Sequence, residues 1–414
     1  MSIPEDGNIP PSPAVTEPSG GANQTRVRAY NERLVLSLVR RHGGESKAEL
    51  TRRTGLSAQT VSVIVRSLEN DGLLLRGEPV RGRVGQPSIP IYLNPEAAFS
   101  FGLKIGRRSA DLILIDFIGG VRHHRRRTYA FPLPQDIVLF LKTALTEIEN
   151  KLSADERRRI SGLGIAAPFE LWNWAEHVGA PHGLMNAWED FDLQTEIASL
   201  IPYPVYLQND ATSACGAELV FGVGPSHPDF IYFFVGSFIG GGIVLNSTLF
   251  VGRTGTAGSV GSLPVRSREG KPRQLLEIAS IFNLENMLRT QNIDPRPLWY
   301  TAEDWIDFGA PLATWIEDAA DALAQAIVAA ASIIDFSAAV IDGGFPAWVR
   351  KRLVNAVNRA IGRMDLQGVL IPELVEGAVG AQARAIGGAS LPIFARYLLD
   401  QNVLFKHVDA NTSA

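Results

Sequence analysis

The sequence predicts an α/β protein in two parts, a small helical module at the N-terminus and a larger body of alternating strands and helices. Three segments between residues 31 and 72 have helical periodicity, and two short apolar runs follow them. Past Pro95, apolar strand-like runs alternate with helical segments, which is typical of an α/β domain. A chain of 414 residues is long enough for two or three such domains.

The composition excludes several classes of protein. Hydrophobic residues make up 46% and charged residues 20% of the chain, and no apolar run reaches the ~18 residues that span a bilayer. The N-terminus has no basic segment followed by an apolar core, and Cys215 is the only cysteine. We therefore expect a cytoplasmic protein that contacts no membrane and has no disulfide framework.

The charge of the chain is unevenly distributed. Residues 26–93 contain 12 Lys and Arg against 6 Asp and Glu, a local net charge of +6 that leaves −10 for the rest of the protein. A basic module of this kind can contact phosphates, although a solvated basic face has the same composition. Residues 1–24 precede it, are rich in Pro, Ser, Gly and Asn, and are predicted to be a disordered tail.

The first two predicted helices are marked by their ends. The first begins at Asn31 and ends at His42, where two glycines follow. Ser46 and Glu49 have the spacing of a capping box, in which each side chain bonds to the other's backbone amide. They predict the start of a second helix, which ends near Gly55.

The third predicted helix begins after Ser57 and has the two faces of a DNA-recognition helix. Its apolar residues follow the i, i+3, i+4, i+7 rule: Val61, Ile64, Val65 and Leu68. The opposite face is polar, and in a helix-turn-helix the second helix presents such a face to the major groove. The residues of this segment predicted to contact DNA are Ser57, Gln59, Thr60, Ser62 and Arg66.

A hairpin with a basic tip is predicted after the three helices. Its apolar runs are residues 73–75 and 89–93, and Arg81 and Arg83 lie between them on either side of a glycine. Basic side chains in such a loop can enter the minor groove, where phosphates concentrate negative potential. Residues 25–94 are therefore predicted to form a winged helix-turn-helix, the alternative being a small helical docking domain.

The body contains two groups of predicted strands, one before and one after about residue 225, which suggests two related lobes. The strands are predicted at residues 99–105, 111–117, 160–166, 205–208, 231–235 and 338–341. The basic run at 122–127 is predicted to be a solvated strand or turn, a second DNA contact being the alternative. The Ala- and Ile-rich segment 319–334 is predicted to be a core helix.

Several segments of the body resemble the ROK family of repressors and sugar kinases. Asn186-Ala187-Trp188 and Gln208-Asn209-Asp210-Ala211 are similar to the family's sugar-site Asn and Trp and to its Asn-Asp-Ala block. The segments 236–243 and 341–344 resemble two of its glycine-rich phosphate loops. The resemblance covers nearly the whole chain from about residue 30. For residues 95–414 it implies a two-lobed, actin-like sugar-kinase (ribonuclease H-like) fold with the ligand between the lobes.

The resemblance implies a sugar site at Asn186, Asn209 and Asp210. Amides and carboxylates of this kind bond to the hydroxyls of a sugar. In the kinases of the family, the aspartate that matches Asp210 accepts the proton of the attacking hydroxyl, so Asp210 is a vestigial base candidate; the alternative is a helix N-cap. Glu277 matches an acidic residue of the family's sugar site, and His182 is a further ligand-binding candidate near Asn186.

The first two phosphate loops depart from the family pattern. Lys104 stands where the family has an acidic residue, and Phe238 replaces a glycine where backbone must approach phosphate. ATP binding and catalysis are therefore not expected. Because Lys104, Arg107 and Arg108 are cationic, a phosphorylated ligand or a retained anion site is the alternative.

The zinc motif of the family is also missing. Ser259 and Ser262 stand where the family has a sugar-binding Glu and a zinc-binding His, and the segment 263–274 contains no cysteine. We therefore expect no metal and no other cofactor. With Ser259 in place of the Glu, sugar specificity is changed or lost.

Together these features predict a DNA-binding repressor of carbohydrate-metabolism genes, controlled by a sugar or sugar derivative in the cleft. The expected partners are operator DNA and a second copy of the chain, in a homodimer or homotetramer. One alternative is an active ATP-dependent sugar kinase with an accessory DNA-binding head. Another is a regulator without a small-molecule ligand, in which the cleft serves only as a dimerisation scaffold.

Overall fold

The computed structural model describes residues 24–79, 88–168, 171–174, 180–181, 183–300 and 305–399. Nearly all of the predicted N-terminal tail lies outside these residues, as do the hairpin tip with Arg81 and Arg83 and the candidate ligand residue His182.

The N-terminal module, which we call the head, is a three-helix unit followed by an antiparallel hairpin. Its elements are α1 (Gln24–His42), α2 (Lys47–Thr54), α3 (Ala58–Asn70), β1 (Leu74–Arg76) and β2 (Ile91–Leu93). Helix α1 begins seven residues before the predicted start at Asn31. Arg28 binds Glu32 one turn later at 2.8 Å and Ser67 of α3 at 2.9 Å, and these contacts support the helix before its apolar stripe begins.

The predicted serine caps of α2 and α3 are confirmed. Ser46 Oγ accepts a hydrogen bond from the amide of Glu49 at 3.2 Å, and Ser57 Oγ accepts one from the amide of Thr60 at 3.1 Å. The reciprocal half of the predicted capping box does not form, because the Glu49 carboxylate binds Arg52 at 2.5 Å instead. The four apolar residues predicted to face inward from α3 are all buried.

The first lobe of the body contains the strands predicted before residue 225 and, among its described residues, four α-helices. Its strands are β3 (Phe99–Ile105), β4 (Ser109–Asp116), β5 (Val121–Thr128), β6 (Ile160–Ala167) and β7 (Val205–Asn209). The helices are α4 (Pro134–Glu149), α5 (Ala154–Arg158), α6 (Leu193–Ala198) and α7 (Asp210–Phe221), of which α7 leads towards the second lobe. The basic run forms the edge strand β5, where Arg122 pairs with Asp116 and Glu96, and Arg125 pairs with Glu147. The strand prediction for this run is confirmed.

The second lobe contains the strands predicted after residue 225. Its strands are β8 (Phe230–Val235), β9 (Ile239–Leu245), β10 (Thr248–Phe250), a separate hairpin of β11 (Pro264–Arg266) and β12 (Pro272–Gln274), β13 (Ala338–Gly343) and β14 (Glu373–Glu376). Its helices are α8 (Leu275–Ala279), α9 (Ile281–Thr290), α10 (Pro297–Tyr300), α11 (Gly309–Ala331), α12 (Ala347–Ile361) and α13 (Ala383–Tyr397). Helix α11 buries one side in the core of this lobe, as predicted.

The two lobes have the same sheet topology. The strand order is β5-β4-β3-β6-β7 in the first lobe and β10-β9-β8-β13-β14 in the second. In each sheet the first three strands along the chain form an antiparallel meander, and the last two add in parallel to the other side. This repetition confirms the prediction of two related lobes.

Helices α7 and α13 pack closely against each other between the sheets. A Cβ atom built on Gly387 of α13 would lie 1.9 Å from the carbonyl oxygen of Ser213 in α7, so only glycine permits this approach. Helix α13 also contacts β3 and β6, and therefore returns the chain from the second lobe to the first. The two helices connect the lobes as one packed unit.

The head is attached to the body where α7 and α13 end. The Arg40 guanidinium of α1 lies 5.5 Å from the ring centroids of Phe117 and Phe221 and 5.9 Å from that of Phe394, and donates a hydrogen bond to the Phe117 carbonyl. Burial lowers the pKa of Arg40 to about 10. Nearby, the Leu399 amide donates a hydrogen bond to Ser37 Oγ at 3.0 Å.

Of the helices described, none has both the length and the apolar character that a membrane crossing requires.

We expect Gly387→Ala to destabilise the body, because the added methyl group overpacks the contact between α7 and α13. Overpacked cores lose ~1–3 kcal/mol, so the thermal midpoint should fall by several degrees. Gly344→Ala is the matched control, since no atom lies within 4 Å of a Cβ built there. Equal midpoints for the two variants in scanning calorimetry would contradict the close packing.

Candidate functional site

The first candidate site is the outer face of α3 in the head. Gln59, Ser62, Val63 and Arg66 are exposed on it, as the helical pattern predicted. None of the described residues forms an ion pair with Arg66, whereas the nearby Arg76 binds Glu69 at 2.5 Å. Arg66 therefore keeps its charge available for an external anion.

Ser57 and Thr60 stabilise the start of α3. Ser57 Oγ caps the helix, and its distance to the hydroxyl oxygen of Thr60 is 2.8 Å. Their hydroxyls bind each other at the end of the helix that, in this class of motif, faces the DNA. The capping bond leaves the rest of each hydroxyl's bonding capacity for a phosphate.

The second candidate site is the cleft between the lobes, a cavity of about 380 Å³. It is open to one side and is bordered by the ends of β7 and α7 from the first lobe and by loops of the second lobe. Its polar lining includes Asn209, Asp210, Ser237, Ser259, Ser262 and Arg384. The structure thus brings together two of the predicted ligand-binding residues, Asn209 and Asp210, with both serines that mark the departure from the family pattern.

Asn209 and Asp210 are held by different partners. The Asn209 side-chain oxygen accepts hydrogen bonds from the amides of Ala211 at 3.0 Å and Thr212 at 3.2 Å, so Asn209 caps α7 and Asp210 does not. Asp210 Oδ2 instead accepts a hydrogen bond from Arg384 Nη1 at 3.1 Å. This ion pair engages the carboxylate that a general base would need free.

The structure does not bring Asn186 and Glu277 into the lining of the cleft. Asn186 is exposed on the short helix Leu184–Trp188. Glu277 is exposed on α8, where its carboxylate accepts a hydrogen bond from the Gln274 amide at 2.8 Å, and it lines a separate surface groove. Its carboxylate turns back to cap its own helix, which explains why it does not reach the cleft.

Lys104 lies at the centre of a buried polar network below the cleft. Its Nζ binds Asp111 Oδ2 at 3.1 Å and Ser109 Oγ at 2.9 Å, and His124 Nε2 lies 2.8 Å from Asp111 Oδ1. Burial lowers the pKa of Lys104 to about 8 despite the attraction of Asp111. Burial opposes the charge of Asp111 as well, but Lys104, His124 and Arg126 together hold the pKa of that carboxyl well below its usual range.

Arg107 and Arg108 form a bridge to the second lobe. They bind the two oxygens of the buried Glu285 carboxylate in α9 at 3.2 and 3.3 Å. The Arg107 guanidinium also lies 4.2 Å from the ring centroid of Phe282 and 5.7 Å from that of Phe238. The three cations considered for a phosphate site are therefore each bound to a carboxylate of the protein, and an aromatic ring fills the space beside them.

Sequence reasoning missed Arg384 and Glu285. Arg384 lies 174 residues from Asp210, and Glu285 lies 178 residues from Arg107, although Glu285 also binds Arg289 one helical turn later. The one local signal for Arg384 is a charge in the first turn of an otherwise apolar helix. For Glu285 the local signal is an acidic residue at a position where the apolar stripe of α9 predicts burial.

A two-lobed body of duplicated topology, with a cleft at the lobe interface and a helix-turn-helix head, defines the class of protein. The chain belongs to the ROK family, whose model matches residues 100–393. A model described as winged helix-turn-helix DNA-binding matches residues 28–74. These matches confirm the family resemblance and the fold class that were inferred from the sequence.

Two relatives illustrate the similarity. The xylose repressor of Bacillus spizizenii is 26% identical over 248 residues, which cover 59% of this chain and 62% of that protein. The uncharacterized protein y4fQ of Sinorhizobium fredii is 24% identical over 370 residues, which cover 88% of this chain and 91% of that protein. The matched region thus spans about six-tenths of the length of the xylose repressor.

Solved structures share the fold. A ROK family transcriptional regulator, a homolog of the E. coli MLC protein, superposes with a TM-score of 0.63 at 21% identity over 90% of this chain and 97% of its own. A ROK family glucokinase from Streptomyces griseus, solved with glucose and AMPPNP, has a TM-score of 0.55 at 18% identity over 71% of this chain and 99% of its own. The regulator matches the head and the body, whereas the kinase covers a length similar to the body alone.

We expect Glu285→Ala to destabilise the contact between the lobes, because it leaves two enclosed guanidiniums without their shared carboxylate. Breaking a buried pair in this way costs about 3–5 kcal/mol. Glu269→Ala is the control, since it removes an exposed ion pair with Lys271 and should change the thermal midpoint little. Hydrogen exchange should accelerate in α9 for the first variant only. Unchanged exchange there would argue against the bridge.

Proposed function

We propose that this protein is a transcriptional repressor of carbohydrate-metabolism genes whose affinity for operator DNA is controlled by a sugar or sugar derivative in the cleft. The observation that carries the proposal is the path of α7 and α13. Both helices begin at the cleft, where Asp210 binds Arg384, and both reach Arg40 of the head through Phe221 and Phe394 near their far ends.

DNA binding by the head is supported by its matched family model and by the exposed face of α3. Gln59 has the amide that reads adenine, and Arg66 can bind guanine or phosphate. Arg81 and Arg83, on the basic hairpin tip, complete the interface in this proposal. A homodimer or homotetramer would place two heads on a two-fold operator, as in other helix-turn-helix repressors.

The sensor role of the body is supported by the composition of the cleft. Amide, carboxylate and hydroxyl groups meet there from both lobes, and a ligand that bridges them would favour a closed arrangement. Closure would move the second lobe against α7 and so change the position of Arg40 and the head. The named relatives include xylose repressors, which supports a monosaccharide as the class of ligand.

Kinase activity is the second candidate function, favoured by Asp210 and by the fold shared with the glucokinase. We propose that it is absent, because Arg384 engages Asp210 and the first phosphate loop is occupied by internal ion pairs. Incubation of the purified chain with ATP and a panel of monosaccharides tests this directly. Sugar-dependent release of ADP would overturn this part of the proposal.

We expect Arg66→Ala to weaken operator binding by about 1–3 kcal/mol and to reduce the slope of log affinity against log salt by about 1. The operator is first obtained by selecting sequences from a random pool with the wild-type protein. Arg83→Ala is expected to act in the same direction. Arg158→Ala is the control of equal charge, since Arg158 is exposed on the body and pairs with Asp155. Operator affinity and salt slope that are unchanged in both Arg66→Ala and Arg83→Ala would contradict the proposed DNA interface.

We expect Arg40→Leu to uncouple the cleft from the head. Ligand affinity should stay near the wild-type value, while the change in DNA affinity on adding ligand should shrink, because Arg40 joins α1 to the ends of α7 and α13. Arg26→Leu removes the same charge from the exposed start of α1 and serves as control. Paired calorimetry and DNA titrations measure the two effects. A full ligand response in Arg40→Leu would disprove this route of coupling.

A further inference from the structure

The charges around the cleft are strongly unbalanced. The cleft lining contains Arg107, Arg384 and Asp210, and the ion-pair networks that include these residues and Lys104 contain six cations and three carboxylates, a local net charge of +3 in a protein whose net charge is −4. The cations are Lys104, Arg107, Arg108, Arg126, Arg289 and Arg384, and the carboxylates are Asp111, Asp210 and Glu285. Low-dielectric walls focus such a potential into the cleft.

Most of these cations can act on a ligand only through their electrostatic field, because each is already bound to a carboxylate of the protein. Lys104 is bound to Asp111, while Arg107, Arg108 and Arg289 share the single carboxylate of Glu285. Arg384 and Arg126 both lower the pKa of Lys104, which shows that their fields overlap there. Part of the surplus charge therefore lies behind the cleft lining, while Arg126 and Arg289 stand towards solvent with side chains 40% and 53% exposed.

Of the two cations in the described lining of the cleft, Arg107 is nearly enclosed, with a side chain 2% exposed, and Arg384 is the more accessible, with a side chain 16% exposed. It lies in the cleft lining, stacks at 4.7 Å on the ring of Phe234, and uses Nη1 to bind Asp210. Within the described part of the chain, the buried Nε of Arg384 has no hydrogen-bond partner. Since that Nε is enclosed, the donors left for a planar or tetrahedral anion are those of the two Nη atoms, in a side chain that is 16% exposed.

The cleft is poorly suited to a neutral sugar. Neutral sugars are held largely by carboxylates and amides that accept hydrogen bonds from vicinal hydroxyls. Among the described lining residues the one carboxylate is Asp210, which is bound to Arg384, and the Asn209 oxygen caps α7. Ser259 and Ser262 stand on the opposite wall and can bind hydroxyls without adding negative charge.

We propose that the effector is an acidic monosaccharide, a sugar acid or a sugar phosphate, whose anionic group binds Arg384 while its hydroxyls face the serines of the second lobe. The inference rests on the function proposed above and specifies its ligand. The shared chemistry is a negative charge on a polyhydroxylated ring or chain. Sugar acids and sugar phosphates are separated by the experiment.

The test is calorimetric titration of the full-length protein with D-glucuronate, D-glucose 6-phosphate, D-glucose, D-xylose and inorganic phosphate. At least one of the two acidic sugars should bind roughly tenfold or more tightly than either neutral sugar, since hydrogen bonds to charged groups contribute ~1.5–3 kcal/mol. This binding should weaken as potassium chloride is raised. The acidic sugar that binds more tightly identifies the anionic group.

Arg384→Gln should lower the affinity for the acidic sugar roughly tenfold or more, whereas Arg273→Gln, at an exposed arginine outside the cleft, should not. Arg384→Lys keeps the charge without the planar fork and serves where the glutamine variant fails to fold; it should bind the acidic sugar more weakly than wild type. Equal affinity in wild type and the Arg384 variants would overturn the inference.

The remaining outcomes separate this inference from the function it rests on. A neutral sugar that binds more tightly than both acidic sugars and changes DNA affinity would overturn the acidic ligand and leave the sensor function standing. Inorganic phosphate that binds as tightly as the acidic sugars would overturn the sugar assignment. DNA binding without response to any of these sugars, and without their binding, would overturn both.

Discussion

The close packing of α7 on α13 is the constraint on which the rest of the body depends. At Gly387 the two backbones approach so closely that no side chain fits between them. The same helices present Asp210 and Arg384 to the cleft at one end and Phe221 and Phe394 to the head at the other. Helices packed this tightly cannot slide independently, so the two ends of this unit, at the cleft and at the head, keep a fixed separation.

Ion pairs inside the body set geometry more than they add stability. Lys104 with Asp111, and Arg107 with Glu285, are enclosed pairs whose desolvation cost offsets most of their attraction. Such pairs are nevertheless costly to break, because each would leave a charge in a poorly solvated place. The Lys104 pair therefore fixes the arrangement within the first lobe, and the Arg107 pair fixes the first phosphate loop against the second lobe.

The parts of the fold that depend on neighbouring residues were predictable from the sequence. Ser46 and Ser57 marked helix starts because a cap bonds within its own turn, and the apolar stripe of α3 follows from helix geometry alone. The pairs of Asp210 with Arg384 and of Arg107 with Glu285 were not predictable, since the fold creates them across more than 170 residues.

Glu277 shows the limit of transferring a role by sequence position. It matches an acidic residue of the family's sugar site, but its carboxylate turns back to the Gln274 amide of its own helix and lies outside the cleft lining. The segment that precedes Glu277 lacks the cysteines of the family's zinc loop. Nothing in the sequence therefore specified which way Glu277 faces. Asn209 lies in the cleft lining as the resemblance implied, and it also caps α7, a role that the sequence had offered as the alternative for Asp210.

The Lys104 network also restricts which substitutions the first lobe can accept. Reverting Lys104 alone to the acidic residue of the kinases would bury a second carboxylate beside Asp111, and two like charges in one enclosed place repel strongly. Changing Asp111 first would leave Lys104 without its counter-charge. Each single step is therefore disfavoured by folding itself. Lys104 and Asp111 can therefore be exchanged at low cost only together, so the electrostatics of the core restricts which residues the first phosphate loop accepts.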